Sequence, residues 1–306
     1  MDSITQFSLG AVIGIAVSPK KTPKVALISG LVATIPDLDI LLSYPDALTS
    51  VIQHRGFSHS LFYLALISPL ISGLLYKFFG LISYFRWLIL VSLVLTTHPI
   101  LDSFTSYGTS LLLPFSDFKI MIGSIFIIDP IYTIPLSISI GYIFIKKKVL
   151  MINNFSFNTI ALIFSQVYLL FTFIVQQLIL PSGKAYVTPT PFNSIVWRVV
   201  VVEDDFIKQY FVNIFKGKGV EIKVKNRHYL QSINQQVVDK YANFSSGFYN
   251  LEVVDDKLIL KDFRMGSITN PSFSFIIAEL INDQWVAVLP SRNYMNFNAD
   301  NMFGNE

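Results

Sequence analysis

Apolar stretches fill most of the first 180 residues, and carboxylates and imidazoles interrupt them at a few fixed places. Residues 60–79, 87–97 with their flanks, 131–145 and 157–180 approach the roughly 20 apolar residues that a helix needs to cross a bilayer. Residues 4–17 and 25–42 are shorter or broken by Gly, Pro and Asp, which reads as tilted or partly inserted segments. The expected architecture is an α-helical polytopic membrane domain of about six segments over residues 1–180. A linker over 181–194 and a β-rich (α+β) soluble domain over 195–306 should follow. Only 14% of the residues are charged, against about a quarter in an ordinary soluble domain. This excludes a disordered or simply soluble chain.

Basic loops stay on the cytoplasmic side of a membrane. Lys20, Lys21 and Lys24, then Lys77 and Arg86, then Lys146, Lys147 and Lys148 occupy alternate loops, whereas the intervening loops carry only Arg55 and Lys119. The N-terminus and the soluble half are therefore expected outside, in a multi-pass protein of the cell membrane. Asp2 in place of a basic leader argues against a removable signal peptide. Residues 1–180 hold 10 Lys/Arg against 7 Asp/Glu and the rest of the chain 13 against 13. This distribution offers nucleic acid no basic surface.

Ionisable groups in membrane segments are costly and point to function. Here they gather at the ends of segments that the charge rule places on one side. Asp37 and Asp39 end the second segment, His54, Arg55 and His59 precede the third, His98 and Asp102 close the fourth, and Asp129 opens the fifth. Imidazole and carboxylate together suit zinc first, then manganese or iron. The chain has no cysteine, so no thiolate competes. His98 and Asp102 share a helix face at i, i+4, although Pro99 is expected to put His98 at a kink or cap. Asp37 and Asp39 share a face if the backbone is extended. Four carboxylates and three imidazoles exceed one tetrahedral ion, so some must support ligands from outside or hold a second ion. The competing reading makes Asp37, Asp39 and Asp129 helix caps, with Arg55 either a headgroup anchor or a clamp on phosphate.

Past residue 180, β-branched and aromatic runs separated by Glu203-Asp204-Asp205, Asp255-Asp256 and Asn282-Asp283 read as hairpins of a mostly antiparallel sheet. Residues 229–244 read as a helix between strands. His228 reads as a surface histidine.

The motifs Met1-Asp2-Ser3-Ile4-Thr5, Pro36-Asp37-Leu38-Asp39, His54-Arg55-Gly56-Phe57-Ser58-His59-Ser60, His98-Pro99-Ile100-Leu101-Asp102 and Asp129-Pro130 resemble those of the predicted membrane-bound metal-dependent hydrolases. That family is also described as LexA-binding, inner-membrane-associated hydrolases, YdjM/YfhP-like. Pro189-Thr190-Pro191 with Trp197 is similar to the linker and first strand of a longer branch. The family opening usually reads Thr-His, whereas Gln6 follows Thr5 here, an amide in place of an imidazole. The resemblance implies a metal site and hydrolysis of an ester or phosphoester, with lipid or cell-envelope substrates expected from the site's place at the membrane boundary. Asp37, Asp39, His54, His59, His98 and Asp102 would be ligands or their immediate supports. Asp129 or a free member of the Asp37/Asp39 pair would be the base, and Arg55 would hold an anionic group. Rival expectations are a divalent-cation transporter and a membrane scaffold with a structural metal.

Overall fold

The computed structural model describes residues 1–152 and 155–293; the end of the expected soluble domain, 294–306, lies outside the described residues. Helix α1 (Ser3–Val17) starts where the Asp2 carboxylate accepts from the Ile4 and Thr5 amides, filling donors that a helix start leaves open. Helix α2 (Pro23–Ala33) begins with Thr22 as cap and Pro23 in the first turn. It stops short of the expected residue 42 because Pro36 cannot donate to the helix and restrains the residue before it. A 3₁₀ turn, Pro36–Leu41, follows. Helix α3 (Ala47–Gln53) leads into a second short 3₁₀ turn, Phe57–His59.

Helices α4 (Leu61–Phe79) and α5 (Tyr84–Ser103) come next, then α6 (Pro130–Lys146), capped by Asp129. The short strands β1 (Met151–Ile152) and β2 (Phe155–Ser156) pair before α7 (Phe157–Ile179). Among the described residues, α4, α5 and α7 are long and apolar enough to cross a membrane, and α1, α2 and α6 are apolar but shorter. Trp87, Leu90, Val91, Val94 and Leu95 of α5 are buried, packed in one core with Leu9, Val12 and Ile15 of α1. By contrast α4 and α7 expose Leu66, Leu70, Ile163, Val167 and Leu170, a pattern suited to lipid as the surrounding solvent. Glycines bring α1 and α2 close: a Cβ on Gly14 would lie 2.4 Å from the Ser29 Cβ.

The segment 181–194, expected as a linker, contains β3 (Ala185–Pro189). That strand opens an antiparallel sheet with β4 (Val196–Val202), β5 (Phe206–Asn213) and β6 (Gly217–Lys225), in spatial order β3-β4-β5-β6. Gln176 of α7 donates to the Val187 carbonyl of β3 at 2.6 Å, so helix and sheet are joined directly. Helix α8 (Gln235–Ser245), preceded by the 3₁₀ turn His228–Asn234, leads to a second antiparallel sheet. Its strands are β7 (Tyr249–Val254), β8 (Lys257–Asp262), β9 (Ser274–Ile281) and β10 (Gln284–Arg292), in order β10-β9-β8-β7. Among the described residues, the second half thus carries two four-stranded sheets. Asp255-Asp256 and Asn282-Asp283 join β7 to β8 and β9 to β10, all four with positive φ, the backbone that tight hairpins demand.

The two halves share a core. Leu48 and Val51 of α3 and Tyr107 pack with Val238, Tyr241, Leu251 and Phe275. Arg264, fully buried, pairs with Asp262 and donates to the carbonyls of Tyr107 and Phe244.

Candidate metal centre

Three elements far apart in sequence deliver one set of donors. The 3₁₀ turn Pro36–Leu41 supplies Asp37, the turn before α4 supplies His59, and the end of α5 supplies His98 and Asp102. One donor atom from each lies within 4.8 Å of all the others. His59 Nε2 is 3.2 Å from His98 Nε2 and 3.3 Å from both Asp37 Oδ1 and Asp102 Oδ2. His98 Nε2 is 3.4 Å from Asp37 Oδ1 and 3.5 Å from Asp102 Oδ2. These five separations match the donor spacing around a tetrahedral ion with bonds of about 2.0–2.1 Å, the length of zinc to imidazole nitrogen and carboxylate oxygen.

The hydrogen bonds around the group leave the right atoms free. His98 Nδ1 faces the Ala33 carbonyl at 2.6 Å, and a carbonyl only accepts, so Nδ1 carries the proton and Nε2 keeps its lone pair in the neutral ring. Ser58 Oγ donates to Asp39 Oδ2 at 2.7 Å, leaving its lone pairs to accept from His59 Nδ1 at 2.9 Å. His59 Nε2 is then a free donor atom as well. Asp102 Oδ2 is buried and receives no hydrogen bond, although Arg55 Nε stands 3.0 Å away as an ion partner. Two imidazole lone pairs and two carboxylate oxygens converging on one point favour a cation there, so the residues present fit a divalent metal. Among the four side chains only Asp37 is partly open to solvent.

The remaining expected site residues divide into supports and outliers. Asp39 accepts from His54 Nδ1 at 2.8 Å, from the Arg55 amide at 2.9 Å and from Ser58. Burial works against its charge, but His54 and Ser58 hold its carboxyl below the ordinary range. Asp37 and Asp39 do not share a face: in a 3₁₀ turn of three residues per revolution, residues two apart diverge, and only Asp37 reaches the donor group. His54 stands beside the site with its ring centroid 6.1 Å from that of His59. The guanidinium of Arg55 is turned inward onto Asp102, donates to Thr105 Oγ1 at 2.9 Å, and lies over the Tyr107 ring. At 2% exposure it is held inside the protein, where its charge balances that of Asp102. Asp129 is outside the group: it caps α6 and accepts from Tyr168. Helix α5 runs through Pro99, so His98 is helical and neither at a cap nor outside the helix.

Gln6 is at the centre after all, but as a support. Its amide donates to Asp102 Oδ1 at 2.9 Å and to the His98 carbonyl, and the Met1 amino group pairs with the same carboxylate oxygen. Ser58, Thr105 and Tyr107 take part without having been singled out in the sequence; Ser58 lay in the His-Arg-Gly-Phe-Ser-His block, whereas no pattern marked the other two. His228 packs on the Tyr249 ring and reaches its carbonyl at 2.7 Å.

The fold and the site together define a protein of apolar, membrane-type helices with a candidate metal centre of two aspartates and two histidines. The chain belongs to the YdjM inner membrane protein family, whose model matches residues 1–179. It is similar to YfhP of Bacillus subtilis, 30% identical over 95 residues, which is 31% of this chain and 29% of YfhP. It is also similar to the inner membrane protein YbcI of Escherichia coli, 31% identical over 118 residues, or 37% of this chain and 68% of YbcI. The chain thus spans under a third of YfhP's length. No solved structure matches it.

Proposed function

We propose that the protein is a membrane-embedded, metal-dependent hydrolase of ester or phosphoester bonds. The observation that carries this reading is the four-atom donor set of Asp37, His59, His98 and Asp102, all within 4.8 Å of one another. Zinc suits it best, with manganese or iron as substitutes. A divalent ion held there would polarise the scissile bond and lower the pKa of an attacking water. Asp37, on the solvent-facing side, would admit substrate and water to the centre. His54 is the candidate base: its Nδ1 proton is held by Asp39 at 2.8 Å, which leaves Nε2 to accept a proton and fixes the ring's orientation, as a carboxylate does for a catalytic histidine. Arg55 and Gln6 keep Asp102 charged and oriented. In this reading α1, α2 and α6 complete six membrane segments, the second half of the chain lies outside the cytoplasm, and the substrate is a lipid or envelope ester.

The donor count favours one rival. Four protein donors fill a tetrahedron, as in structural zinc sites, whereas catalytic sites keep a position open. In that case the protein would be a scaffold that presents the β-rich half. Elemental analysis of the purified protein beside His59→Ala and His98→Ala tests the centre: about one bound ion, lost in both variants, is the expected result, and full occupancy in both variants overturns the assignment. Cobalt substitution then separates the readings. An absorption spectrum that shifts on adding fluoride or acetate reports an open position and supports hydrolysis; an unresponsive four-coordinate spectrum supports the scaffold.

A further inference from the structure

A second polar feature lies on the far side of the His54–Gly56 turn. A cavity of about 690 Å³ runs between the chain after α5 and helix α8, and Lys119, Lys184 and Lys240 line it. Asp117 is the single carboxylate among its lining residues. Lys119 Nζ donates to the His54 carbonyl at 2.8 Å, and Lys240 Nζ donates to Thr49 Oγ1 at 3.1 Å. Among the described residues, none of the three ammoniums forms an ion pair. Like charges gathered around one cavity repel each other, and an anion there would relieve the repulsion. Lys119 is buried among like charges: burial, with Arg55 and Arg264 nearby, pushes its ammonium down to about 7.

The cavity's rim is apolar and adjoins a helix long and apolar enough to cross a membrane. Leu113 and Phe118 line it, and the same loop exposes Leu112 and Phe115, the latter at 79%. The Phe115 ring meets Phe62 in the first turn of α4, with centroids 5.3 Å apart, and the Ser60 hydroxyl before α4 bonds the Leu113 carbonyl. A membrane crossed by α4, which is long and apolar enough to do so, would have its headgroups at the depth of that first turn and of the aromatic loop on it, where apolar rings next to cationic groups are favoured.

We propose that this cavity binds a phosphate-type oxyanion, with Lys119, Lys184 and Lys240 as its ligands. Free phosphate and the phosphodiester of a lipid headgroup share this chemistry, and the aromatic rim gives the latter direct access. None of the lining residues belongs to the four-donor group, so the proposal stands whether or not that group holds a metal. The test uses the full chain in nanodiscs. In phosphatidylcholine discs, titration with inorganic phosphate should show saturable binding that weakens about tenfold in each of Lys184→Gln and Lys240→Gln, the loss of one charge-assisted contact. Both positions are exposed on the cavity wall, so these variants should melt as the wild type does. In phosphatidylglycerol discs, loss of phosphate binding assigns the site to a lipid headgroup; retained, lysine-dependent binding assigns it to the free anion. Absence of phosphate binding, or binding that both lysine variants leave unchanged, overturns the proposal.

Discussion

His59 and His98 meet Nε2 to Nε2 at 3.2 Å, and each ring has its Nδ1 proton committed elsewhere, to Ser58 and to the Ala33 carbonyl. Two neutral imidazoles in these tautomers have no proton to share along that line, so their lone pairs repel unless a cation lies between them and the flanking Asp37 and Asp102. The hydrogen bonds that fix the tautomers therefore belong to the candidate metal site as much as the donors do.

If Asp39 and Ser58 hold the His59 tautomer and the His54 ring, removing them should weaken the centre without removing a ligand. Asp39→Asn and Ser58→Ala are each expected to lower metal affinity about 10–100-fold, measured by competition with a chromogenic chelator. Unchanged affinity in both would show that they serve the turn and not the ion.

Gln6 gives a separate prediction. Its amide steadies Asp102 Oδ1, so Gln6→Ala should weaken metal binding, while Gln6→Glu, which sets a carboxylate against Asp102, should weaken it further. Equal affinity in wild type and both variants, read in the same competition, would remove Gln6 from the centre.

Arg264 ties the two halves together: it pairs with the buried Asp262 and bonds the Tyr107 and Phe244 carbonyls. Arg264→Ala leaves a carboxylate buried without its charge partner, a change that costs about 3–5 kcal/mol. The detergent-solubilised variant should melt several degrees lower in a fluorescence-monitored thermal ramp. The candidate metal centre does not include this pair, so metal content per folded protein should hold.

Lys119 should make stability depend on pH. Burial, then the positive charges of Arg55 and Arg264, lower its ammonium to about 7, against the pull of Asp39. Between about 7 and the unfolded value near 10.4 the unfolded chain binds the extra proton, so this group's contribution to stability rises with pH across that window and levels off above it. In phosphate-free buffer, the melting temperature of the wild type should therefore gain on that of Lys119→Met from pH 7 to pH 10. A pH-independent difference would show that Lys119 titrates normally.

Close packing in the helical half is testable at Gly14, where a Cβ would sit 2.0 Å from Ser29 Oγ. Gly14→Ala should destabilise by about 1–3 kcal/mol through overpacking, and Gly14→Ala combined with Ser29→Gly should recover much of the loss in the same melting assay.

Much of this architecture was legible as residue pattern. Apolar runs announced the helices of the first half because a chain in lipid must satisfy its backbone internally. Asp255-Asp256 and Asn282-Asp283 announced two hairpins because few residue types tolerate the positive φ of such turns. Some patterns misled. The stretch after residue 180 looked like a linker because of its Pro and Gly, yet β3 forms there, its edge position tolerating Pro189. One sheet was expected where two form, since sequence gives strands but not which of them pair.

The amino-acid sequence by itself determined the donor types, their confinement to a few motifs, and the apolar surroundings that make such groups costly. Only the tertiary structure decided that Asp37, His59, His98 and Asp102 face one point while Asp39 and His54 stand behind them, Arg55 turns inward and Asp129 caps a helix. The reason is geometric. Asp37 and Asp39 part company because their backbone is a 3₁₀ turn and not a strand, and His59 reaches His98 across 39 residues of chain only because α4 and α5 pack side by side. No local spacing encodes that approach.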